Sequence, residues 1–365
     1  MNKVAIRPTA TLREPSELIA LGFAPAAALA DLQKVAARYA VAVTPDIAAL
    51  IDHGDPDDPI ARQFIPSVDE LVSGPSESAD PIGDHAHSPV PGIVHRYPDR
   101  VLFKLVHVCA VYCRFCFRRE MVGPGKDNAL SRTAYDAALD YIRAHPQVWE
   151  VILTGGDPLM LSPRRLGEVM ADLAGIGHVR IIRIHTRVPV ADPARISPDM
   201  IAALKVKDAT TWVAVHANHV RELSEKARAA CADIIDAGIP MVSQSVLLRG
   251  VNDNAPALEA LMRAFVECRI KPYYLHHGDL APGTAHLRTT IEHGQGLMRA
   301  LRGRVSGLCQ PEYVLDIPGG HGKSPVGPGY LSQANSFAGE REPGTETRYR
   351  IADYCGDVHL YPSKP

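Results

Sequence analysis

Three cysteines stand close together in the run Cys-Ala-Val-Tyr-Cys-Arg-Phe-Cys, at Cys109, Cys113 and Cys116, with the spacing C-x3-C-x2-C. Three thiolates on one short loop can bind three corners of a [4Fe–4S] cube, whereas most such clusters take four cysteines. The fourth iron would then be open to a small molecule that carries an amine and a carboxylate. A structural zinc site usually needs four ligands in paired short spacings, and no partner motif follows. The spacing therefore favours a cluster over a zinc site or three unrelated buried thiols.

A second candidate for chemistry is the glycine-rich run from Asp316 to Lys323, Asp-Ile-Pro-Gly-Gly-His-Gly-Lys. It lacks the GxxxxGK(S/T) order of phosphate-binding loops, because only two residues separate Gly319 from Gly322. A lysine in a mobile, desolvated setting can instead form a Schiff base with a cofactor aldehyde. The run therefore makes Lys323 a candidate for binding pyridoxal phosphate, although without the cysteine loop an ordinary surface lysine would be the preferred interpretation.

Polar residues at the ends of predicted strands could complete such a site. Gly155, Gly156 and Asp157 follow the second predicted strand, where glycines allow close backbone approach and the aspartate offers an acceptor. An ordinary turn is the alternative interpretation of this segment. His216 and Gln244 end or interrupt apolar strands, and each could equally be a satisfied polar group of the core.

The elements that must position these residues alternate between strand and helix from residue 101 onward. Ser131 and Ser162 are the predicted N-caps of the helices after the first two strands. This alternation predicts an α/β fold, an open or partial (β/α)6 barrel, whose functional residues lie at the carboxyl ends of the strands. The cysteine loop follows one of those ends. The six predicted strands are Val101–Val106, Trp149–Leu153, Val179–His185, Thr211–His216, Met241–Leu248 and Pro272–His276.

The chain divides into three predicted regions. Residues 1–92 are expected to form short helices, one of them over Ala27–Tyr39, and a connector rich in Gly, Ser, Pro and Asp. Residues 93–310 contain the strands of the barrel. Residues 311–365 form a short C-terminal extension that carries Lys323.

The composition excludes several classes of protein. The 365 residues are 46% hydrophobic and 22% charged, which is enough to bury a sizeable core. A net charge of −2 argues against binding nucleic acid or a membrane surface through bulk charge. The first residues lack an apolar leader, and no stretch reaches the ~18 apolar residues of a membrane span, so a cytoplasmic protein is expected. Seven cysteines, three bunched and four scattered, are not a secreted disulfide framework.

Taken together, these motifs closely resemble the lysine 2,3-aminomutase family of radical S-adenosylmethionine enzymes. The resemblance extends from about Ser88 to Tyr361. It implies a barrel of the radical S-adenosylmethionine type, an isomerase activity and three cofactors: a [4Fe–4S] cluster, S-adenosylmethionine and pyridoxal phosphate. The matching segments are Ser88-Pro-Val-Pro-Gly, His95-Arg-Tyr-Pro-Asp-Arg, the cysteine loop with Arg118-Arg119, Gly155-Gly-Asp-Pro-Leu, Gln244-Ser-Val-Leu-Leu-Arg-Gly-Val-Asn-Asp, Pro272-Tyr-Tyr-Leu-His-His-Gly-Asp, Arg299-Ala-Leu-Arg-Gly and the run that ends at Lys323.

The resemblance also implies roles in binding the cofactors. Lys323 matches the lysine that binds the aldehyde of pyridoxal phosphate, and a guanidinium suits the phosphate of that cofactor. The segment that contacts this phosphate corresponds to Arg96, Tyr97 and Arg100, and the cluster ligands correspond to Cys109, Cys113 and Cys116. The segment that holds the amino group of S-adenosylmethionine corresponds to Gly155, Gly156 and Asp157, with His216 and Gln244 as further candidate contacts.

For the substrate, the resemblance implies that Arg118 binds the carboxylate and that Asp279 and Asp316 bind the side-chain ammonium. Two carboxylates in one buried pocket repel each other unless a cation lies between them, so the pair selects a positively charged side chain. The implied reaction is the radical interconversion of L-α-lysine and L-β-lysine, in which the amino group migrates from C2 to C3.

Two departures from longer members of the family leave alternatives open. Asn254 stands where those members have a zinc-binding cysteine, and their cysteine-rich C-terminal run is missing, so zinc is not expected. His276 replaces a tyrosine near the cofactor, as in shorter relatives that act on lysine for elongation factor P. A mutase of that pathway, or an aminomutase for arginine or glutamate, is therefore an alternative. The expected partners are lysine, an electron donor such as flavodoxin or ferredoxin, and further copies of the chain in a homo-oligomer.

Overall fold

The computed structural model describes residues 8–123, 129–333 and 348–362 of the chain. Its centre is a nine-stranded sheet whose strands lie side by side in chain order. Strands β2 to β8 are parallel, and β1 and β9 pair antiparallel at the two edges. This is the partial parallel barrel that the sequence predicts. The strands are β1 (Ile93–Tyr97), β2 (Arg100–Val106), β3 (Glu150–Gly155), β4 (Ile181–Thr186), β5 (Thr210–His216), β6 (Met241–Val246), β7 (Lys271–His276), β8 (Glu312–Ile317) and β9 (Gly322–Pro325).

The six strands predicted from the sequence correspond to β2 to β7, with ends that differ by a few residues. Strands β1, β8 and β9 were not predicted. Strands β8 and β9 lie beyond the expected boundary at residue 310 but continue the main sheet. This part of the C-terminal extension therefore belongs to the barrel. The rest of that region contains a three-stranded antiparallel sheet formed by β10 (Leu331–Gln333), β11 (Tyr349–Ala352) and β12 (Val358–Tyr361).

Helices lie between the parallel strands and pack against the sheet. The hydroxyls of Ser131 and Ser162 accept hydrogen bonds from the backbone of Ala134 and Arg165, which confirms both predicted N-caps. Among the described residues, no helix has the length and apolar character that crossing a bilayer requires. The helices after β2 are α5 (Arg132–Arg143), α6 (Pro163–Ala174), α7 (Val188–Ala191), α8 (Pro198–Leu204), α9 (Glu225–Asp236), α10 (Ala255–Glu267) and α11 (Ile291–Leu301).

Between residues 8 and 92, the structure shows four short helices and a connector that leads to β1. The helix expected over Ala27–Tyr39 is α2, which follows a 3-10 turn at Ala26–Ala28. A second 3-10 turn, Val68–Leu71, lies in the connector. The helices are α1 (Pro15–Ala20), α2 (Leu29–Arg38), α3 (Pro45–Ala48) and α4 (Ala61–Phe64).

Alternation along the strands separates two kinds of side chain. Outward-facing residues such as Phe103, Leu153 and Ile184 are fully buried in the main apolar core. Every second residue points the other way, and these inward positions line a cavity of about 490 Å³ enclosed by the strands. The strand residues on the cavity include Val94, Arg96, Leu102, Ile152, Thr154, Arg183, His185, Ala214, His216, Gln244, Val246, Tyr274 and His276. The barrel therefore has an apolar exterior beneath the helices and an interior in which polar side chains are set among apolar ones.

Candidate active site

The three cysteines of the predicted cluster site lie directly after the carboxyl end of β2, and all three line the cavity as free thiols. Burial, followed by the Asp157 carboxylate, raises the pKa of Cys109 well above its usual range. Burial, followed by the neighbouring Cys113 thiol, raises the pKa of Cys116 to about 11. Buried thiols that raise one another's pKa need a strongly cationic partner to ionise, which an iron–sulfur cluster supplies.

Among the described residues, no three His, Cys, Asp or Glu side chains converge closely enough for a single metal ion. A cluster makes a different demand, because each of its irons takes only one protein thiolate. The donor set of the loop fits that demand.

The turn after β3 packs against the backbone at the start of the cysteine loop. The Gly156 amide donates to the Val106 carbonyl, and the Asp157 amide donates to the Val108 carbonyl at 2.9 Å. A Cβ atom at Gly156 would lie 2.2 Å from the Val108 oxygen, so only glycine allows this approach. The turn therefore fixes where the cysteine loop leaves the sheet.

The Asp157 carboxylate, predicted as a cofactor contact, is already hydrogen-bonded within the protein. It accepts from the Thr186 hydroxyl at 2.7 Å, the Arg187 backbone amide at 2.7 Å and the Leu159 backbone amide at 3.0 Å. Gly155 and Gly156 themselves line the cavity beside this carboxylate.

His216 and Gln244 occupy inward positions near the carboxyl ends of β5 and β6. The Nε2 atom of His216 is buried and has no hydrogen-bond partner within the described part of the chain. Its ring centroid lies 5.6 Å from that of Phe115 on the cysteine loop. The Gln244 amide lies 3.5 Å from Nε2 of His185. Burial lowers the pKa values of His185 and His216 well below the usual range of histidine. The cavity therefore presents neutral imidazoles to a ligand.

Lys323 and Asp316 face each other across the β8–β9 pair. The Lys323 ammonium donates to both oxygens of the Asp316 carboxylate, at 2.7 and 2.8 Å. The Lys323 backbone amide donates to the Tyr97 hydroxyl at 2.7 Å. Gly322 has φ +87°, and a Cβ atom there would lie 2.8 Å from that hydroxyl oxygen. The glycine thus allows the first and last strands of the sheet to meet at the lysine.

The two predicted ammonium-binding carboxylates have opposite pKa shifts. Burial, followed by the nearby Asp316 carboxylate, raises the pKa of Asp279 to about 7. Burial alone would also raise the pKa of Asp316, but a hydrogen bond from His276 and the Lys323 ammonium hold it well below its usual range. Asp316 is therefore ionised, whereas Asp279 would ionise more readily if a cation were placed beside it.

Arg96 on β1 and Arg118 after β2, which both line the cavity, share one buried carboxylate, Asp84. Arg118 donates from Nη2 and Nε to one Asp84 oxygen at 3.1 and 3.3 Å, and from Nη1 to the Thr154 hydroxyl at 3.4 Å. Arg96 donates to the other Asp84 oxygen at 3.2 Å and lies 3.9 Å from Asp316. Asp84 is only 2% exposed. The sequence does not indicate this residue, because a lone aspartate in a connector carries no motif.

Tyr97 and Arg100 complete the stretch predicted to contact the cofactor phosphate. The Arg100 guanidinium lies 3.9 Å above the Tyr97 ring and pairs with Asp99 at 2.7 Å. Its side chain is 33% exposed, against 9% for Arg96, so the two arginines lie at different depths.

Every site residue predicted from the sequence lines this single cavity. The set comes from seven strands and three loops: β1, β2, β3, β5, β6, β8 and β9, and the loops that follow β2, β3 and β7. Residues far apart in the sequence therefore meet in a space of about 490 Å³. Cavities of this size commonly hold small organic ligands.

Comparison with known proteins agrees with this arrangement. The model of the radical SAM superfamily matches residues 103–261. The chain is 44% identical over 291 residues to the L-lysine 2,3-aminomutase of Clostridium subterminale, covering 80% of this chain and 70% of that protein. It is 37% identical over 288 residues to the L-lysine 2,3-aminomutase of Escherichia coli (strain K12), covering 79% and 83%. It is also 35% identical over 300 residues to the glutamate 2,3-aminomutase of Clostridioides difficile (strain 630), covering 82% and 70%. With this similarity and the cavity described above, the chain belongs to the lysine 2,3-aminomutase family of radical S-adenosylmethionine enzymes.

Proposed function

We propose that this chain is an L-lysine 2,3-aminomutase, which interconverts L-α-lysine and L-β-lysine with a [4Fe–4S] cluster, S-adenosylmethionine and pyridoxal phosphate. Nitrogen moves from C2 to C3 and hydrogen moves from C3 to C2, so substrate and product have the same composition. Membership of the family supports this function. A cavity with groups for both ends of lysine supports it independently.

One observation carries the choice of lysine as substrate. Asp316, 6% exposed, accepts two hydrogen bonds from a primary ammonium, the Nζ of Lys323. The side chain of free lysine ends in the same group. When Lys323 is engaged with a cofactor aldehyde, Asp316 can receive the substrate ammonium instead. Asp279 then loses its proton as the cation enters between the two carboxylates.

The opposite end of the substrate is assigned to Arg118. Its guanidinium lies on the cavity wall close to the cysteine loop, held by Asp84 and Thr154. A guanidinium held on two sides keeps its plane fixed, which suits a planar carboxylate. Arg118 and the two aspartates would therefore orient lysine along the cavity.

The cofactors are assigned to the cysteine loop and to Lys323. When bound, the cluster supplies the electron that splits S-adenosylmethionine to give a carbon radical, and pyridoxal phosphate delocalises the unpaired electron while nitrogen migrates. Cys109, Cys113 and Cys116 are the proposed cluster ligands, and Lys323 is the proposed aldehyde-binding residue. Tyr97 holds the backbone of Lys323 in place.

The phosphate of pyridoxal phosphate is assigned to the stretch that contains Arg96, Tyr97 and Arg100. Arg100 is the more accessible of the two guanidiniums, and its position over the Tyr97 ring links it to the backbone of Lys323. A phosphate bound here would lie on the same side of the barrel as the lysine that binds the aldehyde.

S-adenosylmethionine is assigned to the part of the cavity beside the cysteine loop. Its proposed contacts are Gly155 and Gly156, the Gln244 amide, and Nε2 of His216, which has no partner among the residues that the structure describes. Asp157 is proposed to act through the turn that it holds, because its carboxylate is already bonded to Thr186 and two backbone amides.

Glutamate is the alternative substrate suggested by one of the relatives. Asp279 and Asp316 oppose it, because an anionic side chain placed beside two carboxylates in a buried cavity is strongly disfavoured. A cationic side chain relieves the same repulsion.

The reaction also requires a one-electron donor of low potential, and we propose flavodoxin or ferredoxin for this role. We further propose a homo-oligomer in the cytoplasm. Side chains such as Leu331, Val358 and Leu360 are exposed on the small sheet and offer apolar surface for contact between copies.

The function is tested by anaerobic incubation of the reconstituted protein with L-lysine, L-arginine or L-glutamate, followed by mass spectrometry of the products. We expect β-lysine from lysine and little or no product from glutamate. The Asp316→Asn variant should turn over lysine at least about tenfold more slowly, since a charge-assisted hydrogen bond is worth about 1.5–3 kcal/mol. Its cluster absorbance should be unchanged.

The matched control is Asp136→Asn, which removes an exposed carboxylate that pairs with Arg132 on α5. This variant should keep the parent rate. Preference of the parent for glutamate, or parental turnover of lysine by Asp316→Asn, would show that these carboxylates do not select the substrate.

A further inference from the structure

Arg187 is a buried arginine to which the proposed function assigns no role. It follows β4 and precedes α7, and its side chain is 7% exposed. Its Nη1 atom donates a hydrogen bond to Sγ of Cys113 at 3.0 Å. The guanidinium also lies 5.4 Å from the ring centre of Phe115, on the same cysteine loop. A guanidinium thus touches one sulfur of the proposed cluster site.

The position of Arg187 is fixed by residues from three other parts of the chain. Its Nη2 atom donates to Glu222 at 2.5 Å and to the side-chain oxygen of Gln63 at 2.9 Å. Its backbone amide donates to Asp157. A guanidinium held at these points cannot turn away from the sulfur without losing several buried bonds.

Glu222 is itself held rigidly and is fully buried. Its second oxygen accepts from the backbone amides of Asn218 and His219 at 2.8 and 2.9 Å, and from Gln63 at 3.1 Å. The carboxylate therefore remains beside Arg187 whatever occupies the cavity. Arg187 and Glu222 form a fixed ion pair whose positive end faces Cys113.

The chemistry of this contact follows from charge. Hydrogen bonds to the sulfurs of a cluster, and the charge around it, help to set its reduction potential. Reduction adds one electron and one negative charge, so an N–H donor and a nearby cation stabilise the reduced form more than the oxidised form. Burial strengthens the effect because little solvent screens it.

We propose that Arg187, oriented by Glu222 and Gln63, makes the cluster easier to reduce through its hydrogen bond to Cys113. This rests on the cluster site proposed above. Arg187 acts through the ligand sulfur, so it is a positioning residue whose effect is on electron entry. The carboxylate of Glu222 works in the opposite direction by partly cancelling the charge of Arg187.

The test is an anaerobic redox titration of the cluster-loaded protein, followed by electron paramagnetic resonance and without S-adenosylmethionine or lysine. Arg187→Gln removes the positive charge and leaves Glu222, so the midpoint potential should become more negative. Glu222→Gln removes the negative charge and leaves Arg187, so the midpoint should become more positive. Shifts of opposite sign would not arise from general loosening of the fold.

Arg221→Gln is the matched control, because it breaks an ion pair with the buried Asp58 beside the same segment of chain. Its midpoint should equal that of the parent. Unchanged midpoints in both test variants, or a shift of Glu222→Gln to more negative potential, would overturn the inference. If Arg187→Gln loses its cluster, the shift of Glu222→Gln decides alone. A parent that binds no [4Fe–4S] cluster would instead refute the proposed function.

Discussion

Asp279 and Asp316 show how one side chain sets the charge of another. The Lys323 ammonium forms an ion pair with Asp316, which therefore stays ionised. Burial and the Asp316 carboxylate raise the pKa of Asp279 to about 7. The binding of a cationic side chain should favour the ionised form of Asp279. Lysine binding should therefore depend on pH near neutrality.

We expect the KM for lysine to fall as the pH rises from 6 to 8, by about tenfold if Asp279 is protonated in the free enzyme at pH 6 and ionised at pH 8. Only the ionised carboxylate attracts the ammonium, which itself stays protonated over this range. Steady-state kinetics at each pH, with cluster content measured in parallel, give the dependence. The Asp279→Asn variant should have a higher KM with a much flatter profile. A parental profile in this variant would assign the dependence to another group.

Residues with a motif could be predicted from the sequence, and residues that only support them could not. The cysteines, Lys323 and the arginines stand in recognisable runs. Asp84, by contrast, is identified only by the two guanidiniums that meet on it. Arg187 has partners 35 and 124 residues away, so no local pattern indicates its contact with Glu222 and Gln63.

At the scale of elements, the predicted strands β2 to β7 are largely apolar segments that alternate with helices. Strand β8 follows α11 and buries Tyr313 and Val314, so it has the same character but was missed. Strand β9, Gly-Lys-Ser-Pro, has no apolar residue and is a strand only because β8 pairs with it. Strand β1 carries polar residues such as Arg96 toward the cavity, which weakens its apolar pattern. Local sequence predicts strands that bury apolar surface, whereas edge strands depend on their neighbours.

Gly322, the first residue of β9, directly precedes Lys323 and packs closely against Tyr97. Replacing Gly322 by Ala puts a Cβ atom 2.8 Å from the Tyr97 hydroxyl at φ +87°. A left-handed non-glycine residue costs about 1–2 kcal/mol, so Lys323 should shift and bind pyridoxal phosphate roughly tenfold more weakly. Titration with the cofactor, read from its visible absorbance, measures the loss. Gly329→Ala is the control, because a Cβ atom there has nothing within 4 Å. Equal affinity in both variants would show that Gly322 does not position the lysine.

At the scale of the molecule, a buried ion network joins the N-terminal region to the cysteine loop. Glu70 in the connector accepts from Arg114 at 2.9 Å and also from Arg119, and both arginines belong to the cysteine loop or directly follow it. Arg114 also donates to the Ala40 carbonyl, and Arg119 donates to the Gly283 carbonyl after β7. The N-terminal region therefore holds the loop from outside the barrel.

Replacing Glu70 by Gln should weaken this hold, since breaking a buried ion pair costs about 3–5 kcal/mol. The free energy of unfolding in urea should fall by that order, and the cluster absorbance should decay faster in air. Glu168→Gln, which removes an exposed carboxylate paired with Arg164 and Arg165, should change neither quantity. If the two variants behaved alike, the network would not be what secures the loop.

The contact between Tyr97 and Lys323 joins residues 226 positions apart in the sequence. A ribosome adds about 5–20 residues per second, so roughly 10 to 45 s of synthesis separate the two residues. The cysteine loop emerges within the first few seconds of that interval, whereas the lysine emerges last. During translation, the three thiols proposed to bind the cluster therefore leave the ribosome well before the lysine proposed to bind the aldehyde.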